Sequence, residues 1–183
     1  MSGDGGTTGH VFIATSLDGF IARRDGGIDW LLDRDDPAED HGYPAFIATM
    51  DAMIMGRGSF EVALGFDPWP YDLPVLVLSR SLPPTRVPPS LAGRLRIADL
   101  APQAAMHRLQ AEGHRRIYVD GGRIVQSFLR GGLIADMVVT VAPVLLGQGR
   151  RLFGETGRDI ALTLLGARSF PSGLVQSSYR LDA

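Results

Sequence analysis

The sequence contains no cysteine among its 183 residues. This absence excludes a disulfide framework, a catalytic thiolate and a metal site with cysteine ligands. It is typical of proteins that work in a reducing compartment. We therefore predict a cytoplasmic protein, and we assign no residue as a metal ligand.

An excess of charge of one sign is also missing. Eighteen basic residues face 20 acidic ones, and the formal net charge is −2. No basic surface is predicted, so nucleic acid is not expected as a partner. No apolar run reaches the roughly 20 residues of a membrane span. The start, MSGDGGTTGH, has neither the basic nor the apolar segment of a signal peptide.

Glycine, serine and threonine dominate the beginning of the chain, and this composition predicts a disordered tail over residues 1–9. The rest of the chain has the length and the hydrophobic content of one packed unit, since 45% of all residues are hydrophobic. We predict a single domain over residues 10–183.

Short apolar runs alternate with segments of helical spacing along most of the chain. This alternation predicts a three-layer α/β fold with a mostly parallel sheet. No long helix is predicted after residue 131, which favours an antiparallel C-terminal hairpin. Strands are predicted at 10–15, 52–55, 75–78, 94–98, 116–119, 136–142, 160–165 and 174–181, and helices at 38–50, 57–64, 100–113 and 122–130, with Asp99 as N-cap of the third and Gly113 as its stop.

Turns suited to phosphate groups follow three of the predicted strands. They are Gly56-Arg57-Gly58-Ser59, Ser79-Arg80-Ser81 and Asp120-Gly121-Gly122-Arg123. Glycine lets backbone N–H groups approach a phosphate, and arginine binds one bidentately. The carboxyl ends of parallel strands meet at one edge of a sheet, where ligands bind.

A single glycine turn is more often explained by ordinary turn geometry, and a single arginine is more often a surface charge. Their repetition favours a dinucleotide. The second glycine turn suits a pyrophosphate, and Arg57 with Ser79 and Arg80 suits the 2′-phosphate of NADPH. No G-x-G-x-x-G follows the first strand, so an ordinary Rossmann site is not expected.

Four stretches occur in an order that resembles the dihydrofolate reductase-like superfamily. They are VFIATSLDGFIARRDGGIDWL, DAMIMGRGSFE, IYVDGG and VVTVAPVLLGQGRRLF. The chain is more closely similar, over residues 10–182, to the branch that includes the riboflavin-biosynthesis reductase domain, as a stand-alone member. The resemblance implies an NADPH-dependent oxidoreductase that reduces a small heterocyclic (pterin- or pyrimidine-like) or sugar-linked substrate by hydride transfer, often as a homodimer.

The resemblance also implies which residues hold the cofactor. The loop after the first strand would close over the nicotinamide, with Gly26 and Gly27 as its bend. The implied cofactor residues are Ala14, Ile21, Gly27, Gly56, Arg57, Ser59, Ser79, Arg80, Gly121, Gly122, Arg123 and Ile124.

Substrate and catalytic residues are implied in the same way, each with an alternative. Thr140 would form the floor of the substrate pocket, or be only a β-branched strand residue. Trp30 would lie at the pocket edge beside Phe46, or be a core aromatic. Asp18 is a candidate catalytic proton donor, or a brace of the turn. Further proton candidates are Asp29, Asp40, His41 and a bound water.

The sequence departs from the family pattern at residues that would contact the substrate. Dihydrofolate reductases carry an acid a few residues before a phenylalanine, and Gly42 stands there if Phe46 is that aromatic. Asp40 is offset by two residues and points elsewhere on a helix. A zinc-deaminase signature is also absent. An alternative hypothesis is therefore a non-catalytic nucleotide-binding protein that retains the cofactor site.

Overall fold

The computed structural model describes residues 6–34 and 36–182, which form ten strands and five α-helices. Two short 3-10 helices lie between the fourth and fifth strands. The strands are β1 (Thr8–Ser16), β2 (Phe20–Ala22), β3 (Ala52–Gly56), β4 (Val75–Leu78), β5 (Leu95–Ala98), β6 (Arg116–Asp120), β7 (Ile134–Ala142), β8 (Arg150–Arg151), β9 (Leu162–Ser169) and β10 (Val175–Leu181). The helices are α1 (Asp29–Leu32), α2 (Tyr43–Ile47), α3 (Arg57–Ala63), α4 (Pro102–Ala111) and α5 (Gly122–Arg130).

Eight strands form one sheet in the order β5-β4-β3-β6-β1-β7-β10-β9. The six strands from β5 to β7 are parallel, whereas β10 runs antiparallel to both β7 and β9. Strands β2 and β8 form a separate antiparallel pair. This arrangement confirms the predicted mostly parallel α/β fold with its antiparallel C-terminal hairpin.

The central strands are covered on both faces, as their continuous hydrophobicity indicates. All four residues of β4 are buried. Val75 and Val77 pack into one cluster with Phe60 of α3, and Leu76 and Leu78 pack into another with Phe128 of α5. Alternate side chains of one strand thus supply two cores, and the helices on each face complete the three layers.

Helix positions agree with the prediction except near residue 40. Helix α5 has the predicted bounds, and α4 ends just before Gly113 (φ +94°). Asp99 does not cap α4, because that helix begins at Pro102 with Ala101 as its N-cap. The helix predicted over 38–50 is wrong in length, since only Tyr43–Ile47 is helical. A left-handed Gly42 (φ +80°) precedes it, and no helix can run through that conformation.

The first strand begins earlier than the sequence predicted. Thr8 donates its N–H to the Arg115 carbonyl at 2.9 Å, and Gly9 donates to the Leu133 carbonyl at 2.8 Å. Two residues of the predicted tail therefore belong to the sheet. Residues 1–5 of that tail lie outside the described residues.

The segment between β1 and α2 holds two elements that periodicity did not reveal. Strand β2 pairs with β8, and α1 follows at Asp29. These elements are only three and four residues long, too short for a periodic pattern. Within residues 6–34 and 36–182, no helix has the length and apolar character needed to cross a membrane.

We predict that Gly9→Ala destabilises the fold. The added Cβ would lie 2.7 Å from the Leu133 carbonyl oxygen, which accepts the Gly9 N–H, so the two strands must separate. We expect a loss of about 1–3 kcal/mol in the free energy of unfolding, measured by urea denaturation. Gly166→Ala on β9 is the control, because its Cβ has nothing within 4 Å. An equal loss in both variants would contradict the prediction.

Candidate functional site

A cleft of about 1840 Å³ runs along the carboxyl ends of the parallel strands. Residues from β1, β3, β4, β6 and β7 line it, together with the segments that follow β4, β5 and β6. Its volume exceeds that of a typical site for one small ligand, roughly 300–1,000 Å³. The cleft therefore has room for a dinucleotide and a second molecule side by side.

The three predicted turns meet in this cleft. The Arg57 guanidinium donates to the Ser81 hydroxyl at 3.2 Å, which joins the first turn to the second. A Cβ on Gly121 would lie 2.6 Å from the Ser59 hydroxyl, which shows how closely the third turn approaches the first. We call residues 56–59, 79–81 and 121–124 the phosphate arm.

Free backbone donors face the cleft at the start of α5. Its N-cap is Gly121 (φ +95°), and among the described residues no side chain caps the helix. The amides of the first helical turn have no partner within the helix. Gly122, Arg123 and Ile124 all line the cleft. Such a helix start binds anions, since unpaired N–H groups and the helix dipole act together.

Arginines add positive charge on the same side. Arg57, Arg80 and Arg123 belong to the phosphate arm itself. The Arg150 guanidinium would lie 2.7 Å from a Cβ on Gly58. The Arg151 carbonyl accepts a hydrogen bond from Gln126 of α5 at 3.2 Å, and its guanidinium lies over the Phe20 ring. The donor set thus suits the phosphates of a dinucleotide.

Aromatic side chains form the other side of the cleft. The ring centroids of Phe12 and Tyr43 are 5.4 Å apart, and those of Tyr43 and Tyr118 are 6.3 Å apart. The Tyr118 hydroxyl donates to the Phe12 carbonyl at 2.9 Å, which fixes its ring. We call Phe12, Tyr43, Tyr71, Tyr118, Asp120 and Thr140 the aromatic arm.

Asp120 lies where the two arms join, directly before Gly121. Burial raises the pKa of its carboxyl, and this effect exceeds the opposing hydrogen bonds from Ser59 and the Gly121 amide. Burial, assisted by the charge of Asp120, raises the pKa of Tyr43 to about 12 and also raises the pKa of Tyr71. A buried carboxyl of raised pKa in a cleft is a candidate proton donor.

Thr140 lies on the cleft floor and is fixed by a neighbour. Gln176 of β10 donates to the Thr140 hydroxyl at 2.9 Å and to the His41 carbonyl at 3.0 Å. Arg168 holds the other end of that amide, since its Nε donates to Gln176 Oε1 at 3.0 Å. The antiparallel hairpin thus positions the floor of the site.

His41 lines the cleft with one ring nitrogen engaged. Its Nε2 lies 3.1 Å from a Glu39 carboxylate oxygen. Glu39 is held in turn by the Ser172 amide at 2.7 Å and the Ser172 hydroxyl at 2.6 Å. Among the four side chains that the sequence offered as proton donors, His41 is the one that lines the cleft.

The structure brings nearly all of the predicted cofactor residues into this cleft, together with Thr140. The exception is Gly27, whose amide instead donates to Asp25 at 2.9 Å and whose carbonyl accepts from the Arg23 amide. Gly27 closes a local turn. The predicted cofactor residues that line the cleft are Ala14, Ile21, Gly56, Arg57, Ser59, Ser79, Arg80, Gly121, Gly122, Arg123 and Ile124.

Asp18 braces a turn, which is the second of the two roles that the sequence suggests for it. Its carboxylate accepts hydrogen bonds from the Ser16 hydroxyl at 2.6 Å and from the amides of Leu146 and Gly147 at 3.1 and 2.7 Å. The Ser16 hydrogen bond is the largest cause that lowers the pKa of Asp18 to about 2. A carboxylate that is ionised at neutral pH has no proton to donate.

Trp30 and Phe46 do not line the cleft as predicted. Trp30 is 2% exposed and packs against Ala142 and Leu174, so the core interpretation holds. Phe46 packs behind the aromatic arm, with its ring centroid 5.1 Å from Phe12 and 5.2 Å from Tyr118. Phe46 lies one turn after Tyr43 on α2, with their ring centroids 6.4 Å apart, and of the two Tyr43 is the one that lines the cleft.

Several residues of the site were missed from the sequence: Asp120 and Tyr71 line the cleft, and Gln176 positions Thr140. Asp120 had a signal, because an acid that ends a buried strand directly before two glycines stands at the ligand edge of the sheet. Tyr71 and Gln176 had none, since one lies in an irregular loop and the other in a hairpin strand. Across the described ranges, no group of three or more histidine or acidic residues could hold a metal ion.

Comparison with known proteins finds a family that matches most of the chain. A model of the RibD C-terminal domain family matches residues 7–176. YwjB of Bacillus subtilis (strain 168) is 33% identical over 162 residues, which cover 87% of this chain and 90% of YwjB. YyaP of the same organism is 28% identical over 175 residues, 91% of each protein.

Solved structures agree with this match. A Shewanella sp. PV-4 protein assigned to riboflavin biosynthesis has a TM-score of 0.89 and 35% identity, over 97% of this chain and 100% of that one. A Thermotoga maritima deaminase/5-amino-6-(5-phosphoribosylamino)uracil reductase has a TM-score of 0.73 and 13% identity, over 96% and 57%. At 13% identity the likeness concerns the fold alone. These findings confirm the family resemblance drawn from the sequence motifs.

We predict that the Asp18 brace makes stability depend on pH in acid. Its folded pKa is lowered, so the ionised carboxylate stabilises the fold above about pH 4, and this stability is lost as the pH falls toward 2. Asp18→Asn should lower the urea midpoint at pH 7 and match the wild type near pH 2. Asp159→Asn, at an exposed site, is the control. Equal midpoints of wild type and Asp18→Asn at pH 7 would contradict the prediction.

Proposed function

The chain belongs to the RibD C-terminal domain family, and on this premise we propose that it is an NADPH-dependent oxidoreductase that reduces a small heterocyclic or sugar-linked molecule. One observation carries the proposal. The three turns of the phosphate arm converge in the same cleft as an aromatic arm with a half-buried acid of raised pKa. Such a cleft can hold a dinucleotide and a second ring together.

The phosphate arm fits the charged part of NADPH. The uncapped start of α5 offers backbone donors for the pyrophosphate. Arg57 is pre-oriented for the 2′-phosphate, because its Nε donates to Glu61 at 2.7 Å while another guanidinium nitrogen donates to Ser81. Arg80, in the neighbouring turn, adds the second positive charge.

Reduced nicotinamide, when bound, supplies the hydride for the reaction. The protein's part is to orient the two reactants and to exclude water. Ala14 and Ile21 line the cleft between the two arms, and Thr140 lies on its floor. These residues would hold the two rings face to face.

Asp120 is the proton donor in this proposal. Its raised pKa favours a protonated carboxyl, and its place between the arms puts it beside the reacting rings. His41 lines the same cleft, with Glu39 bound to one ring nitrogen. It is suited to hydrogen-bond the substrate, or to return a proton to the site.

Homodimer formation and a cytoplasmic location remain predictions. The edge strand β9 supports the homodimer, since Leu162, Leu164 and Leu165 are exposed beside an unpaired strand edge. Sedimentation equilibrium of the purified protein would give the mass that decides between one copy and two.

We expect NADPH to bind more tightly than NADH, because two arginines of the phosphate arm face the 2′-phosphate. Arg57→Gln and Arg80→Gln should each weaken NADPH binding about tenfold or more and leave NADH binding nearly unchanged. Isothermal titration calorimetry measures both constants. Arg86→Gln, in the loop between β4 and β5, is the matched control. Equal affinities for NADPH and NADH in the wild type would overturn the 2′-phosphate assignment.

We expect steady NADPH oxidation with one or more members of a panel of pterins, pyrimidines and flavins. Asp120→Asn should lower the turnover rate about 100-fold or more, as expected for loss of a general acid, with the NADPH dissociation constant unchanged. Wild-type turnover in that variant would remove Asp120 from the proton step. NADPH binding without oxidation of any panel member would favour the non-catalytic alternative.

A further inference from the structure

We propose that the substrate of this site is a planar heterocycle that carries no phosphate group. The inference rests on the proposed reductase function and narrows it, because a sugar phosphate is excluded from the substrate. It follows from the way in which positive charge and aromatic surface are divided between the two arms of the cleft.

Permanent positive charge is concentrated at the phosphate arm. The sequence contains no lysine, so arginine alone can provide such a charge to a phosphate. Five arginines line the cleft: Arg57, Arg80, Arg123, Arg150 and Arg151. The first three belong to the phosphate arm, and the Arg150 guanidinium lies beside Gly58. The Arg151 guanidinium is engaged with the Phe20 ring and donates to the Asp18 carbonyl at 3.4 Å.

The aromatic arm has no comparable positive charge that could bind a phosphate. None of its members is basic, and Arg168, which reaches toward its floor, is engaged with Gln176 and with the Phe170 ring. His41 is the nearest titratable base on the cleft wall. The Glu39 carboxylate at its Nε2 balances any positive charge on the ring.

The same arm contains an acid. The half-buried Asp120 lies among Tyr43, Tyr71 and Tyr118, close enough to influence the pKa of all three. A phosphate dianion here would lose water, find no cation and face a carboxyl group. Burying an unpaired charge is among the most unfavourable events in a protein interior.

A flat, uncharged ring suits the arm well. Phe12, Tyr43 and Tyr118 pack edge to face with one another and line the cleft, where their rings can contact a planar partner. A protonated Asp120 carboxyl is both donor and acceptor, so it complements the adjacent N–H and C=O of a lactam. Leu32 and Phe66 add apolar surface to the cleft lining, at 51% and 43% exposure.

The inference separates this chain from one of its structural neighbours. The Thermotoga maritima protein is named for a phosphoribosylamino substrate. A substrate of that kind brings a phosphate that needs its own cations. In this chain three of the cleft arginines belong to the phosphate arm, and no member of the aromatic arm is basic.

The test compares ligand pairs that share a ring and differ by one phosphate. Riboflavin with FMN, and uridine with UMP, would be titrated into protein saturated with NADP⁺ and followed by calorimetry. We expect the phosphate-free member to bind with equal or higher affinity. The inference is wrong if the phosphate-bearing member binds three-fold or more tightly in either pair, or if no phosphate-free ring binds at millimolar concentration.

A variant with an added charge tests where in the cleft the substrate ring binds. Leu32→Arg adds a permanent positive charge to a residue that lines the cleft outside the phosphate arm, and it should shift the FMN-to-riboflavin affinity ratio toward FMN about five-fold or more. Leu64→Arg adds the same charge to a partly exposed residue outside the cleft and should leave the ratio unchanged. Identical FMN-to-riboflavin affinity ratios in the two variants would contradict binding of the substrate ring outside the phosphate arm. Failure of NADP⁺ to bind at the outset would refute the proposed function instead, so the two failures are distinguishable.

Discussion

The common direction of six strands is the constraint on which the site depends. Because β5, β4, β3, β6, β1 and β7 are parallel, their carboxyl ends lie along one edge of the sheet. Each of these strands is followed by a turn at that edge, so turns that are far apart in sequence become neighbours in space. The contact between Ser59 and Gly121 and the hydrogen bond between Arg57 and Ser81 follow directly from strand order. An antiparallel sheet would have placed these turns at opposite ends.

Charge and aromatic surface are divided across this edge, and the division gives the cleft its chemistry. Arginines and free backbone donors come from the turns after β3, β4 and β6, whereas the rings, a hydroxyl and a half-buried acid come from β1, α2, β6, β7 and the loop before β4. Asp120 stands between them because it ends β6, the strand next to β1 in the sheet. Its burial raises its pKa, which links the packing of the core to proton chemistry.

The segment that follows β1 is rich in glycine, yet contacts with the rest of the protein hold it at both ends. Asp18 ties its first turn to the amides of Leu146 and Gly147, and β2 pairs with β8. At its far end the Trp30 side chain is buried against Ala142 and Leu174. A segment fixed at both ends positions Ile21 in the cleft. Gly26 (φ +98°) forms a turn between those ends.

The sequence alone determined the fold class, the eight strands of the large sheet and the turns of the phosphate arm. These depend on local patterns, since continuous apolar runs predict buried strands and glycine or arginine after a strand predicts a turn suited to phosphate. The tertiary structure decided which side chains face the cleft. Phe46, Trp30 and Asp18 all lie near the site in sequence. Phe46 instead packs against Phe12 and Tyr118, Trp30 belongs to a small core cluster, and Asp18 binds the amides of a distant loop. Orientation depends on contacts between residues remote in sequence, and no local pattern encodes such contacts.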